Sequence, residues 1–375
     1  MITSRTLAAL GLLFGAIAAQ AAPAPRYAVT DIGILPGFLS TVGHSIDSLG
    51  EVAGYCYASE NGTLVSHAFV YRGGKLIDFG ALYDPTLQTK AYFTNIKGEV
   101  ALTYALPINS EEYPVLYQNG HFTALSFPQN GRGYFAGLND SGQIAGNYNV
   151  NGITPAYLIE ANGKVITLPT FGTVFGNWGL IAVQGITKSG LVYGAVNTGT
   201  ANNGYGLYAA VTTSGYVPPV NLGTVYGGLS VAHNNIGHYV LINRILNTPG
   251  PWSSLLPVLY AGKKITNLPP VPGGETLTGA VYYPNAINDS DTVVGFMTGF
   301  ITPLPVTGAT TGYPEEVLPF LYLEGKMYNP NTLIPASAMR IGALIGINDL
   351  GQILTAGTDP TTGYGHTLIL TPGSF

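Results

Sequence analysis

The sequence predicts an all-β fold: a seven-bladed β-propeller of four-stranded antiparallel blades, its N-terminal strand closing the last blade. Three observations predict it. A turn signature recurs seven times, and a second tight turn follows it in each of the first six units. The seventh unit lacks its final strand, while a spare copy of that strand lies near the start of the chain. Self-similarity at a spacing of some fifty residues is how repeat architectures declare themselves.

The first signature is an apolar residue, Asn or Asp, two variable residues, Gly, and then an apolar alternation. It reads Ile46-Asp47-Ser48-Leu49-Gly50-Glu51-Val52 in the first unit and Leu138-Asn139-Asp140-Ser141-Gly142-Gln143-Ile144 in the third. The anchors fall at Gly50, Gly98, Gly142, Gly190, Gly237, Asp291 and Gly351. Asn or Asp opens such a turn through its side-chain oxygen, and Gly takes the left-handed position that completes it. Asp291 occupies that position at modest cost, because Asp tolerates it better than most residues. Alternation with period two on either side marks half-buried strands.

The second turn reads Gly73-Gly74-Lys75, Asn119-Gly120-His121, Asn162-Gly163-Lys164, Ser214-Gly215-Tyr216, Ala261-Gly262-Lys263 and Glu324-Gly325-Lys326. An apolar strand precedes each, and a short strand such as Lys75–Gly80 follows. Each unit therefore has four strands, a to d, with tight a–b and c–d turns. In the seventh unit, His366–Thr371 is strand c, and no strand d follows Pro372-Gly373. Tyr27–Leu35 matches Lys75–Leu82, with Asp31 on Asp78 and Gly33 on Gly80. Placing it beside the seventh strand c closes a ring and removes the exposed sheet edges that charge-poor sheets would otherwise present. A membrane barrel, suggested by 25 Tyr and the C-terminal Phe375, needs longer strands and no such exchange.

Composition narrows the function. The 375 residues include 14 Lys+Arg and 19 Asp+Glu, a net charge of −5, and only 9% are charged. That supplies neither the basic stripe that nucleic acid requires nor a polybasic membrane patch. Residues 1–21 read as a signal peptide: Arg5, an apolar run from Thr6 to Ala18, and the small-residue site Ala19-Gln20-Ala21. The mature domain is then 22–375, with no later apolar stretch long enough for a helical anchor, and it is expected as an exported monomer. Cys56 is the single cysteine. It is expected as a buried small hydrophobe.

With Ser66-His67-Ala68-Phe69-Val70-Tyr71 as strand c and the Ile-Asn-Asp-x-Gly-Gln element at 347–352, the chain resembles the bacterial extracellular HAF-repeat family over about 27–375. Only the first repeat carries the literal His-Ala-Phe triplet. The resemblance implies export and a repeat β-architecture. It implies no catalytic residue.

No constellation in the sequence carries chemistry of its own. Gly228–Ala232 lacks the strand-to-helix turn of a nucleophile elbow, and Gly199–Gly204 lacks the helix that a phosphate loop needs. Asn288–Asp291 reads as a turn rather than a calcium loop, and Glu111-Glu112 and Glu315-Glu316 read as loop-solvating pairs. The reading assigns no catalytic residue, no metal and no cofactor. The long d–a and b–c connections share one face and carry Phe38, Tyr83, Phe127, Phe171, Phe175, Trp178, Tyr226 and Trp252. The expected function is a secreted or cell-surface binding module for glycan or peptide ligands, with Trp178, Trp252 and Arg132 as ligand-binding residues. The alternatives are a secreted propeller enzyme, of lyase or hydrolase type, and a purely structural envelope component.

Overall fold

The computed structural model describes residues 24–60, 63–106, 111–128, 132–150, 154–168, 181–197, 206–212, 215–217, 231–244, 255–275, 277–301, 315–336 and 338–373. Residues 1–21, read above as a signal peptide, together with Phe171, Phe175, Trp178, Gly199–Gly204, Tyr226 and Trp252, lie outside them. Strands a to d of blade 1 are Ser40–Ile46, Val52–Glu60, Thr63–Arg72 and Lys75–Asp78. The same antiparallel order repeats over 88–124, 132–167, 181–217, 231–267 and 277–328. Blade 7 consists of Arg340–Ile347, Ile353–Thr358 and Gly365–Pro372, and its fourth strand is Tyr27–Asp31. A single parallel pairing, Leu255 opposite Val281, links the sheets of blades 5 and 6. The strands form seven groups of four, not one sheet closed on itself as in a barrel.

The turns follow from the residues predicted to make them. Gly50, Gly98, Gly142, Gly190, Gly237 and Gly351 all have φ between +75° and +90°, and Asp291 has φ of +59°. The Asn139 Oδ1 accepts the N–H groups of Ser141 and Gln143, and the Asn348 Oδ1 those of Leu350 and Gln352. Asp291 gains what a glycine would lack. Its carboxylate accepts from His238 Nδ1 at 2.8 Å and from Asn234 Nδ2 at 3.2 Å, both in blade 5.

Closure of the ring is visible at the N-terminal strand. Tyr27 pairs with Pro372, Val29 with Leu370 and Asp31 with Leu368, antiparallel throughout. Ile32 N–H then donates to the Thr367 carbonyl, and Gly373 N–H to the Arg26 carbonyl. Blade 7 meets blade 1 through Gly365 N–H to Ser40 Oγ and Thr367 N–H to Thr41 Oγ1.

The apolar core is divided among the blade interfaces. Seven buried clusters are found among the described residues, each, with the half-buried side chains packed on it, drawn from two neighbouring blades. Ala53, Ala68 and Val70 pack on Leu102 and Val115 between blades 1 and 2. Leu354 and Ile369 of blade 7 pack on Val52, Cys56 and Phe69 of blade 1. Leu321 and Val294 of blade 6 meet Ile341, Ile353 and Leu370 of blade 7. Cys56 is fully buried, and burial pushes its thiol up to about 12, so it packs as a hydrophobe.

One detail departs from the expectation. Strand d of blade 1 ends at Asp78, not Gly80, because the Asp78 Oδ1 accepts the Ala81 N–H and starts a one-turn helix over Phe79–Tyr83.

Removal of residues 22–35 should lower the thermal midpoint sharply, since Ile32 and Leu35 alone contribute about 4 kcal/mol of burial and blade 7 is left with an open edge. An unchanged midpoint would contradict the closure. The turn glycines should differ among themselves. A Cβ on Gly142 meets Glu99 Oε2 at 2.8 Å, whereas one on Gly237 meets nothing within 4 Å. The left-handed backbone alone costs about 1–2 kcal/mol, so Gly237→Ala should lose that and Gly142→Ala measurably more, as read by chemical denaturation.

Candidate functional site

Six of the seven inner strands carry an irregularity beside the turn. The a–b pairing shifts between Gly43 and Ser45, Ala91 and Phe93, Phe135 and Gly137, Val183 and Gly185, Pro284 and Ala286, and Leu344 and Gly346. A β-bulge bends its strand and re-aims a side chain. The extra residues, all three positions before the turn Asn, Asp or Thr, include His44, Ala136, Gln184, Asn285 and Ile345, which line a cavity of about 350 Å³ at the turn end of the ring axis. The inward-facing set is thus produced by one repeated backbone feature. It was legible only as an equal offset from the turn, and the sequence reading did not use it.

Two rings of hydrogen bonds surround this mouth. In the inner ring, the turn carboxamide of one blade donates to the backbone carbonyl of the next: Asn95 to Asn139, Asn139 to Thr187, Asn234 to Asn288, Asn288 to Asn348, and Asn348 to Asp47, at 2.9–3.1 Å. In the outer ring the following residue takes part. Lys188 N–H donates to Asn235 Oδ1, Asn235 N–H to Asp289 Oδ1, and Asp289 N–H to Asp349 Oδ1. The carboxylates of the Asn288–Asp291 segment are spent on these bonds and on His238, as the turn reading expects.

One contact crosses the ring. Lys188 of blade 4 donates to Asp349 Oδ2 of blade 7 at 2.7 Å. That bond, with the charges of Asp349, Asp289 and Asp140, raises the lysine's pKa. Partial burial pushes Asp349 up, but Lys188 and the Asp289 N–H outweigh it and hold the carboxyl below its usual value. His44 and His233 line the same cavity, and burial lowers the pKa of each, favouring the neutral imidazole.

Deeper along the axis, His44 links the cavity to an aromatic and charged cluster between blades 1 and 2. Its ring lies 5.6 Å from Tyr55 and 4.8 Å from Tyr92. Lys90 sits 5.5 Å above the Tyr55 ring and donates to Glu112 Oε1 at 2.6 Å. The Tyr92 hydroxyl donates to Glu112 Oε2 at 2.8 Å. Burial would raise Glu112, yet its bonds from Lys90 and Tyr92 keep it lowered. Glu111 and Glu112 therefore do not solvate a loop. Both are partly buried and hydrogen-bonded, Glu112 as the first residue of a strand c.

The ligand-binding residues expected from sequence fare unevenly. Trp178 and Trp252 lie outside the described residues. Arg132 begins strand a of blade 3, is half-exposed, and bonds Glu111 of blade 2 through its Nη2. Two residues on, on the same side of the strand, Tyr134 is 58% exposed. Of the loop aromatics, Phe127 is buried against Tyr148 and Tyr157. Phe38 packs on His67, and Tyr83 on Tyr104 and Phe122. These three rings hold loops to blades.

Sequence reasoning missed one pairing whose members it had in hand. His67 and His366 occupy equivalent positions in strands c, and Asp78 and Asp31 end equivalent strands d. The structure joins them, His67 Nδ1 to Asp78 Oδ2 at 3.0 Å and His366 Nδ1 to Asp31 Oδ2 at 2.8 Å. Each is a staple across a c–d pair, and the second fastens the closing strand.

No protein-family model and no curated protein matches the chain.

The cross-ring pair yields an asymmetric expectation. Both partners are about a third or more exposed, and such pairs are worth about 0–1 kcal/mol. Lys188→Ala should therefore barely move the thermal midpoint. Asp349→Ala also strands the Asp289 N–H and should cost more. Equal losses would place the value of the contact in the ion pair itself.

Proposed function

We propose that the protein is an exported, non-enzymatic binding module, akin to HAF-repeat proteins, that takes a glycan or peptide ligand on the face carrying the d–a and b–c connections. The observation that carries this reading is the Arg132–Tyr134 strip on the inner strand of blade 3. A ring 58% exposed beside a half-exposed guanidinium is a stacking platform next to a hydrogen-bonding cation. Amphipathic aromatics and Arg are the residue types that anchor ligands at such surfaces. The rigid ring behind it places the platform without ordering cost at the moment of binding. The opposite mouth supports the same choice, since Asp289 and Asp349 there are engaged by backbone N–H groups and by Lys188.

Glycan and peptide arrays probed with the mature chain should reveal a ligand, and failure on both would remove the reading. Alanine at Arg132, Trp178 or Trp252 should then weaken binding about 10-fold or more while shifting stability by under about 0.5 kcal/mol. Loss of binding confined to turn variants such as Asn139→Ala would place the site on the other face.

A further inference from the structure

Asp47 and Thr187 are the two turn positions where the repeat's asparagine is replaced, and Asp47 alone replaces it with a carboxyl group. Asn95, Asn139 and Asn348 each turn Oδ1 to their own loop and Nδ2 to the next blade, and Asn234 and Asn288 do the same. Asp47 keeps the first half, its Oδ1 accepting from Leu49 N–H and Glu51 N–H at 2.9 Å. Its backbone carbonyl also holds its ring position, receiving the Asn348 carboxamide at 2.9 Å. Oδ2 is therefore the counterpart of the donating nitrogen of the asparagine turns, which in Asn95, Asn139 and Asn348 reaches both the next blade's turn carbonyl and the side chain four residues on. Asp47 is 7% exposed, and this Oδ2 is buried with no hydrogen-bond partner. An ionised oxygen opposite a carbonyl, shielded from water, would be doubly unfavourable.

Among the described contacts no cation is bonded to it, although Arg72, on the same seam, keeps its Nη2 buried without a partner. Glu51, on the same turn, is engaged by Arg72 Nε at 2.6 Å. Glu99 of blade 2 accepts from Asn95 Nδ2, and Asn348 and Gln352 of blade 7 are neutral. Lys97 is committed to the Ser141 carbonyl and Lys188 to Asp349. Asp140, Asp349, His44 and His233 share the cavity that Asp47 lines.

We propose that Asp47 is a neutral carboxylic acid in the folded ring, its Oδ2 hydroxyl donating to the Asn95 carbonyl, and that ionisation of this group opens the ring bond between blades 1 and 2. The carboxyl is thus a proton-operated clasp next to the blade that completes the circle. Burial pushes its pKa up. The two N–H groups on Oδ1 oppose that, and the charges of Glu51 and Asp140 add to it. A folded-state pKa above the unfolded value of about 3.9 means that the clasp's contribution is complete below that value. It is lost as pH rises through the folded value.

Asp47→Asn supplies the donor permanently. Thermal midpoints of the mature chain and of this variant, measured from about pH 4 to about pH 8, should coincide at the acid end. They should separate as pH rises, the variant ending higher by about 1–3 °C. Independently, infrared difference spectra of protein carrying 13C-labelled aspartate, recorded over the same pH range, should show in the native chain a protonated-carboxyl band that persists to higher pH than those of ordinary aspartates. That band should be missing from the variant. Parallel midpoint curves, a variant less stable at every pH, or no such persistent band in the native chain would each overturn the proposal.

Discussion

The carboxamide of the turn asparagine performs two tasks at once, and the ring depends on their coincidence. Its oxygen closes the a–b turn of its own blade, and its nitrogen reaches the backbone of the next. Because the oxygen is committed within the turn, the nitrogen has one direction left, and this fixes how far the neighbouring blade is rotated. A serine in this position could close the turn and would still leave the neighbour unlinked. Thr187 shows as much: its hydroxyl accepts from Leu191 N–H, and no side-chain bond runs from it to the backbone of blade 5 among the described contacts. There the connection passes to the outer ring, through Lys188 N–H and Asn235.

Around that rim the molecule has seven small cores rather than one. Interfaces carry small residues on strands a and b, such as Ala91, Ala53 and Ala145, and larger ones on strands c, such as Phe69, Tyr157 and Phe320. Wedge-shaped gaps between radial sheets require this gradient. It also explains why so few charged residues suffice: both faces of nearly every sheet are covered, and solvent sees mainly turns, connections and outer edges. The charged side chains that do occur in the interior act as struts. Arg72 braces Glu51 within blade 1, Lys90 braces Glu112 within blade 2, and His238 reaches Asp291 in the next blade.

Much of this was legible in the residues, and the reasons are local. The positive-φ glycines, the four-strand unit and the exchanged first strand are written in short spacings, because turn chemistry is set by neighbours in sequence. The end of strand d at Asp78 was misjudged because a single aspartate can cap a helical turn as easily as continue an extended chain. The bulges left no residue signature of their own, since His44, Ala136, Asn285 and Ile345 share an offset and nothing else. The stapling of His67 to Asp78 needed two repeats laid side by side and the same two residues read across a hairpin. For the loop face, Arg132 could be placed and Tyr134 recognised only once strand register was known, because exposure on an inner strand is not a property of composition.

The closing strand has a further consequence, and it is mechanical. Tyr27 faces Pro372 and Asp31 faces Leu368, so the chain leaves the sheet at neighbouring points on one end of the pair. A load applied through the segments before Tyr27 and after Pro372 would act on one hydrogen bond at a time and peel the strand away. The same pair loaded from opposite ends would share the force among all its bonds. A clasp whose bonds all act together against thermal unfolding would thus yield to tension one bond at a time. The His366–Asp31 staple, at the far end of the zip, would be the last bond to part.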